Sequence, residues 1–379
     1  MWPYLVCFGL TGLIAYYNEK ENQKEDRNPW ISALFVILIP AILAGLRDYS
    51  IGTDTKNVIK SATNLAVNIN SFKSFILFTQ NNALFERFDV GYSVFVFILA
   101  KIFHNPQITM FIISLLTGLF VYLSLYKMRN ECSILMGELV FLFTQYNASY
   151  NMIRQSLAMA MGLWALSIVL NEDERRYLKA IIIIVIAMLL HSSAFLSFIP
   201  ITLYAFYNDH RRTSLFKNAT FILVLVIVMT FITSIVSFLI EHGILNERYS
   251  HYFTEGQISA NFSALGVLIY FLPFIFFACG IPLMQTNKKF FIAISIVEIA
   301  CFTLTNISFY LYRVASYLMF VRILSLSQHD MYTVPPRSKA KIPLQWGLWV
   351  GVFLSLIIYF AYFIGYCNLH ETYPFIFMK

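Results

Sequence analysis

Apolar runs alternate with short polar connections along this chain from one end to the other. The runs at 31–46, 108–126, 133–146, 151–170, 219–240, 263–282, 290–307, 314–326 and 343–366 approach or reach the ~20 residues an α-helix needs to cross hydrocarbon. A first run, 1–17, lacks a basic start and a small-residue cleavage site, so it reads as a retained span and not a signal peptide. None of these runs shows the period-two alternation of a barrel strand. The pattern predicts an all-α, polytopic integral membrane protein with about 12–14 transmembrane or re-entrant helices, forming one membrane domain over residues 1–379.

Short loops rich in Lys and Arg mark the cytoplasmic side, because basic residues beside a span resist translocation. They occur at Lys20, Lys24 and Arg27; at Lys127 and Arg129; at Arg175, Arg176 and Lys179; at Arg211, Arg212 and Lys217; at Lys288 and Lys289; and at Arg337, Lys339 and Lys341. With all six inside, both termini fall outside, and the first external segment covers residues 47–90. Within it, 53–65 reads as an amphipathic surface helix, while 71–78 is too short to span. A second external loop covers 241–262. Two places strain this scheme. Runs 92–103 and 108–126, split by His104-Asn105-Pro106, supply one crossing too many, so either the first is a half-membrane element or one basic loop is misplaced. Runs 180–190 and 194–206 are both short and flank His191, which predicts a re-entrant hairpin over 180–206 with the histidine near its tip.

Composition narrows the function classes. Hydrophobic residues make up 59% of the chain and charged residues 12%, more apolar surface than a soluble domain of this length can hide. The net charge of +7 is spread over short loops with no free basic stripe, which argues for orientation in a membrane and against nucleic-acid binding. Five cysteines stand singly, without disulfide or zinc spacing, and no internal repeat of the kind common in transporters is visible.

Against this apolar background the charges at the external ends of spans need a reason. Arg47 and Asp48 follow the run 31–46, and Gly52, Thr53 and Asp54 complete the turn. Arg154 stands at the start of the run 151–170 and Arg313 at the start of another inward span; an ionisable group there is costly and marks a candidate site. A fixed guanidinium suits a phosphate, since its planar fork donates two parallel hydrogen bonds. Snorkelling to the interface, or pairing with backbone carbonyls, is the competing structural reading of each arginine. Arg248 lies in the second external loop, where a solvated charge competes with a binding role. Glu86 precedes an apolar run, with an ion pair to Arg87 as its alternative, and His191 is either a base or a hydrogen-bonded core histidine. Several arginines beside two or three carboxylates suit a diphosphate leaving group and a hydroxyl to be deprotonated, which is glycosyl transfer.

Four pieces in order, Gly45-Leu46-Arg47 with Ile51-Gly52-Thr53-Asp54, Glu86 to Gly91-Tyr92, Asn151-x-x-Arg154-Gln155, and His191-Ser192-Ser193-Ala194, make the chain resemble the EpsG-like, or Wzy-type, family of exopolysaccharide and O-antigen polymerases. They cover roughly the first 200 residues; Arg87-Phe88-Asp89 between Glu86 and Gly91 departs from the family pattern. The resemblance implies a GT-C-like architecture in a bacterial inner membrane, with both termini periplasmic. It also implies an inverting, metal-independent glycosyltransferase without a cofactor. Such an enzyme moves a growing glycan from undecaprenyl diphosphate onto a lipid-linked repeat unit. Its partners would be undecaprenyl diphosphate-linked oligosaccharides, membrane lipid and a chain-length regulator. In this picture Asp54, Glu86 and His191 serve catalysis, Asp54 or Glu86 as base, while Arg47, Arg154, Arg313 and Arg248 hold the diphosphate. The rival readings are an O-antigen ligase or other polyprenyl-linked glycosyltransferase, a lipid-linked oligosaccharide flippase or transporter, and an acyltransferase built on His191.

Overall fold

Some of the helices begin at a side-chain cap. The Asn105 side chain accepts the Gln107 N–H at 2.8 Å just before Pro106, and the Ser133 hydroxyl accepts the Met136 N–H at 3.2 Å. The computed structural model describes every residue except 24–28, 83–87, 172, 210–212, 243–262, 304, 306–308, 333–341 and 379. Over these residues the elements run α1 (Trp2–Asn22), α2 (Trp30–Gly45), α3 (Ser61–Asn68), α4 (Phe72–Gln80), α5 (Val90–Phe103), α6 (Pro106–Lys127), α7 (Ile134–Thr144) and α8 (Ala148–Asn151). They continue with α9 (Ile153–Leu170), α10 (Arg176–Leu190), α11 (Phe198–Asn208), α12 (Ser214–Glu241), α13 (Ala264–Gly280), α14 (Lys288–Thr303), α15 (Phe309–Ser325) and α16 (Ile342–Phe360). No strand occurs among the described residues, so the protein is all-α; the extended pairings there are single bridges, Arg47 with Phe377 and Cys132 with Gln328.

Helix α9 is the central post. Every residue from Ile153 to Leu170 is buried except Arg154 and Trp164, which are partly exposed. Ser156, Ala158, Ala160, Gly162 and Ala165 keep its surface low, and α6 and α10 pack closely along it. Among the described residues Pro106–Lys127, Ile153–Leu170, Ala264–Leu283 and Leu344–Tyr366 are long and apolar enough to cross a membrane. The peripheral α10 is apolar on its outer side too, exposing Leu178, Ile181, Ile182, Val185, Ile186 and Leu189. A helix that is apolar all round belongs against lipid on its outer side.

The extra run at 92–103 has a structural resolution. Gly91, at the start of α5, packs against Leu189 at the end of α10. Gln107, just beyond the end of α5, lies against Gly45 at the end of α2. Both ends of α5 therefore lie at the same end of the bundle, leaving one traverse, α6, before the basic loop at Lys127. Residues 55–68 form a π-helical turn, Thr55–Lys60, running into α3, and the run 71–78 is the short α4. On either side of His191 stand α10 and a 3-10 turn, Ser192–Ser197, that leads into α11.

Candidate functional site

The site is built on the start of α9. Gly52 turns the chain with a φ of +80°, and a Cβ there would lie 2.9 Å from both Asn151 Oδ1 and the Tyr150 carbonyl oxygen, so only glycine fits. The close approach lets Asn151 Oδ1 accept the Thr53 N–H at 2.7 Å, which fixes the next residue, Asp54, at the N-terminus of α9. Its carboxylate accepts the Ile153 N–H and lies in the field of Arg154 and Arg313. Burial raises the Asp54 carboxyl above the ordinary carboxylate range, and the nearby Arg154, Arg313 and Arg47 pull it back in part.

Arg154 lies over two rings, 5.0 Å from the Phe88 centroid and 5.3 Å from that of Tyr92. Arg313 is delivered from α15, whose backbone is tied to α9 where Gln155 Nε2 donates to the Arg313 carbonyl at 3.0 Å. On the same helix the Tyr317 hydroxyl pairs with Ser193 at 2.9 Å, holding α15 against the turn that follows His191.

His191 has a carboxylate beside it after all. Asp89 Oδ2 stands 3.5 Å from His191 Nδ1 and accepts the Ser192 N–H at 3.1 Å. A Cβ on Gly91 would lie 2.5 Å from the Leu189 carbonyl oxygen, so the absence of a side chain there is what brings Asp89 up to α10. Burial lowers the His191 pKa, with Arg154 and Arg313 acting the same way and Asp89 opposing. For Asp89, burial acts upward, but contact with His191 and Ser192 outweighs it and leaves the carboxyl below its ordinary value. The pair is thus an anionic Asp89 standing 3.5 Å from Nδ1 of an imidazole that burial favours in its neutral form.

Arg154, Arg313, Asp54 and His191 converge as one mouth, joined by Asp89 and Tyr92. The sequence places Asp89 among the charges of the external mouth, but not its pairing with His191, because that partner lies 102 positions along the chain (191 − 89) and nothing local announces it. Arg47 is placed differently from its neighbours. It is 2% exposed; Nε and Nη2 donate to Thr55 Oγ1 at 3.2 and 3.1 Å, Nη1 donates to the Ala44 carbonyl at 3.0 Å, and the guanidinium stacks 3.9 Å from the Tyr150 centroid. Its donors therefore brace the loop from inside. Glu86 and Arg248 lie outside the described residues.

No group of three His, Cys, Asp or Glu side chains that could hold a metal occurs among the described residues. No curated protein and no solved structure matches the chain. The model of the EpsG family matches residues 30–377, a stretch that contains every residue of the mouth, and the chain belongs to the EpsG family.

Proposed function

We propose that the protein is a polysaccharide polymerase of the Wzy type, transferring a growing glycan from undecaprenyl diphosphate to a lipid-linked repeat unit at the periplasmic face of a bacterial inner membrane. The observation that carries this reading is the convergence of two guanidiniums, Arg154 and Arg313, with a carboxylate-supported imidazole at the buried start of α9. Family membership points the same way. In the reaction the acceptor hydroxyl oxygen bonds to the anomeric carbon as the bond from that carbon to the diphosphate oxygen breaks. The hydroxyl proton passes to Nε2 of His191, while Asp89 holds the ring and stabilises the imidazolium. The charge arriving on the diphosphate is met by Arg154 and Arg313, preorganised donors. Asp54 aligns those two arginines, and Arg47 supports the loop that carries Asp54. A single displacement of this kind inverts the anomeric centre. This mechanism gives His191 the role of base, for which the sequence offered Asp54 or Glu86.

The test is genetic and chemical. In a host deleted for the gene, the wild-type chain restores a ladder of surface polysaccharide on a gel, whereas Arg154→Ala at equal membrane abundance leaves single capped repeat units. Loss of the single units as well, in the deletion strain, would place the protein at export or ligation and overturn the polymerase reading.

A further inference from the structure

A second charged cluster lies in the bundle, away from the mouth. Glu298 of α14 and Arg322 of α15 are each 2% exposed, and Arg322 Nε stands 2.7 Å from Glu298 Oε1. The Tyr270 hydroxyl of α13 donates to the same carboxylate oxygen at 2.9 Å. The guanidinium is covered by rings, 4.4 Å from the Tyr270 centroid and 4.2 Å from that of Phe274. An ion pair this deep in a membrane bundle carries a large desolvation cost that apolar side chains would avoid, so its presence calls for a role beyond packing.

The geometry of α15 indicates the role. Residues 315–325 are buried on every side, so no amphipathic face sets how the helix is rolled. Arg322 comes nine residues after Arg313, which at 3.6 residues per turn places them about 180° apart around the axis. The Arg313 side of α15 reaches α9 through Gln155 and the His191 turn through Tyr317 and Ser193. The opposite side, with Arg322 and Met319, meets Tyr270, Phe274 and Glu298 of α13 and α14. Directional contacts at both sides define one roll angle where apolar burial would tolerate several.

We propose that the Glu298–Arg322 pair is a positioning device for the mouth: it fixes the roll of α15 and so delivers Arg313 and Tyr317 to the start of α9. This rests on the reading of Arg313 as a ligand of the donor diphosphate. Glu298 and Arg322 are positioning residues that act through Arg313.

The experiment measures turnover of the full-length protein in nanodiscs, with lipid-linked oligosaccharide extracted from the deletion strain as substrate. Arg322→Met alone leaves Glu298 buried and unpaired, so the variant used is Glu298→Gln with Arg322→Met, which removes both charges and keeps the volume. Its melting temperature should stay near that of the wild type while kcat falls about 100-fold, the usual result of misplacing a group by about an ångström. Arg313→Ala should lose at least as much, and the triple variant should be no worse than Arg313→Ala alone, because the pair acts through Arg313. Wild-type turnover in the charge-free pair, or losses that multiply in the triple variant, overturns the inference and leaves the mouth intact. Wild-type turnover of Arg313→Ala instead removes Arg313 from the mouth, and the inference falls with that reading.

Discussion

Arg47 and Arg154 each stack on aromatic rings, yet their surroundings give them different work. Arg47 has its donors on Thr55 and Ala44 and its face on Tyr150, within a belt where Tyr150 donates to Tyr146 at 2.7 Å and Tyr146 to the Pro40 carbonyl at 2.6 Å. Removing it leaves buried acceptors without donors, so Arg47→Met should cost ~1–3 kcal/mol of stability, seen as a lower melting temperature in detergent. Lysine cannot reproduce the planar fork or the stacking and should not restore it. Arg154→Ala should melt near the wild type and lose activity instead. An Arg47→Met protein as stable as wild type would return that residue to the list of substrate ligands. The dyad gives a second prediction, in pH. Burial lowers the His191 pKa from its ordinary 6.5, so the ring stays neutral and basic at neutral pH and gains a proton only at lower pH. The acidic limb of kcat should therefore fall below pH 6.5, and the rate should decline as pH drops through it. Asp89 opposes the lowering, so Asp89→Asn should move the limb further down as it reduces the rate. A general base contributes ~100- to 10,000-fold, which sets the loss expected for His191→Gln. An acidic limb unmoved by Asp89→Asn would separate the two residues functionally.

At the scale of elements, much of the bundle was legible because a span must carry its own apolar run. The runs 31–46, 133–146 and 151–170 appear as α2, α7 and α9 with ends displaced by a few residues, as caps and turns trim them. What local sequence could not express was how elements meet. Run 92–103 looks like any other short span, and only the packing of its two ends shows that it begins and finishes at the same end of the bundle. The Glu298–Arg322 pair has a visible signal, one ionisable residue in each of two apolar runs, but both stand inside their runs and not at span ends. Arg154 was legible because it is a charge at the start of an apolar run. Gly91 ties this scale to the chemistry. A methyl group there would press on the Leu189 carbonyl and push α5 away from α10, lengthening the contact between Asp89 and His191. Gly91→Ala should therefore lower turnover about tenfold or more and shift the acidic limb in the direction of Asp89→Asn, with little change in the amount of folded protein. A Gly91→Ala protein with the wild-type pH profile would show that the approach of α5 does not set the dyad.

Across the whole molecule, the mouth is closed by residues from both ends of the chain. The final segment, read from sequence as a simple external tail, folds under the Arg47 loop. Asp48 N–H donates to the Ile376 carbonyl at 2.8 Å, Gly52 N–H to that of Glu371 at 3.1 Å, and Met378 N–H to that of Leu46 at 2.9 Å. The Tyr4 hydroxyl of α1 donates to the Thr372 carbonyl at 2.7 Å, and Asn147 Nδ2 to its hydroxyl at 2.9 Å. Thr372 is wholly buried and His370 nearly so, which is not how a free tail behaves. The sequence does not announce this because backbone groups make most of the contacts, and every residue carries those. The consequence is that the geometry of Asp54 depends on residues more than 300 positions away in the chain. Truncation before residue 369 should leave α1 to α16 inserted but unpair the N–H groups of Asp48 and Gly52, releasing the loop that seats Asp54 at α9. Limited proteolysis should then cut within 47–54 at sites protected in the full-length protein, and polymer synthesis should be lost at unchanged membrane abundance. Co-expressing residues 369–379 as a separate peptide should restore little, because a short untethered segment must supply its own ordering entropy. If the truncated chain keeps both its protection over 47–54 and its ladder of products, the tail is an accessory, and the loop is held by Arg47, Gly52 and Asn151 without it.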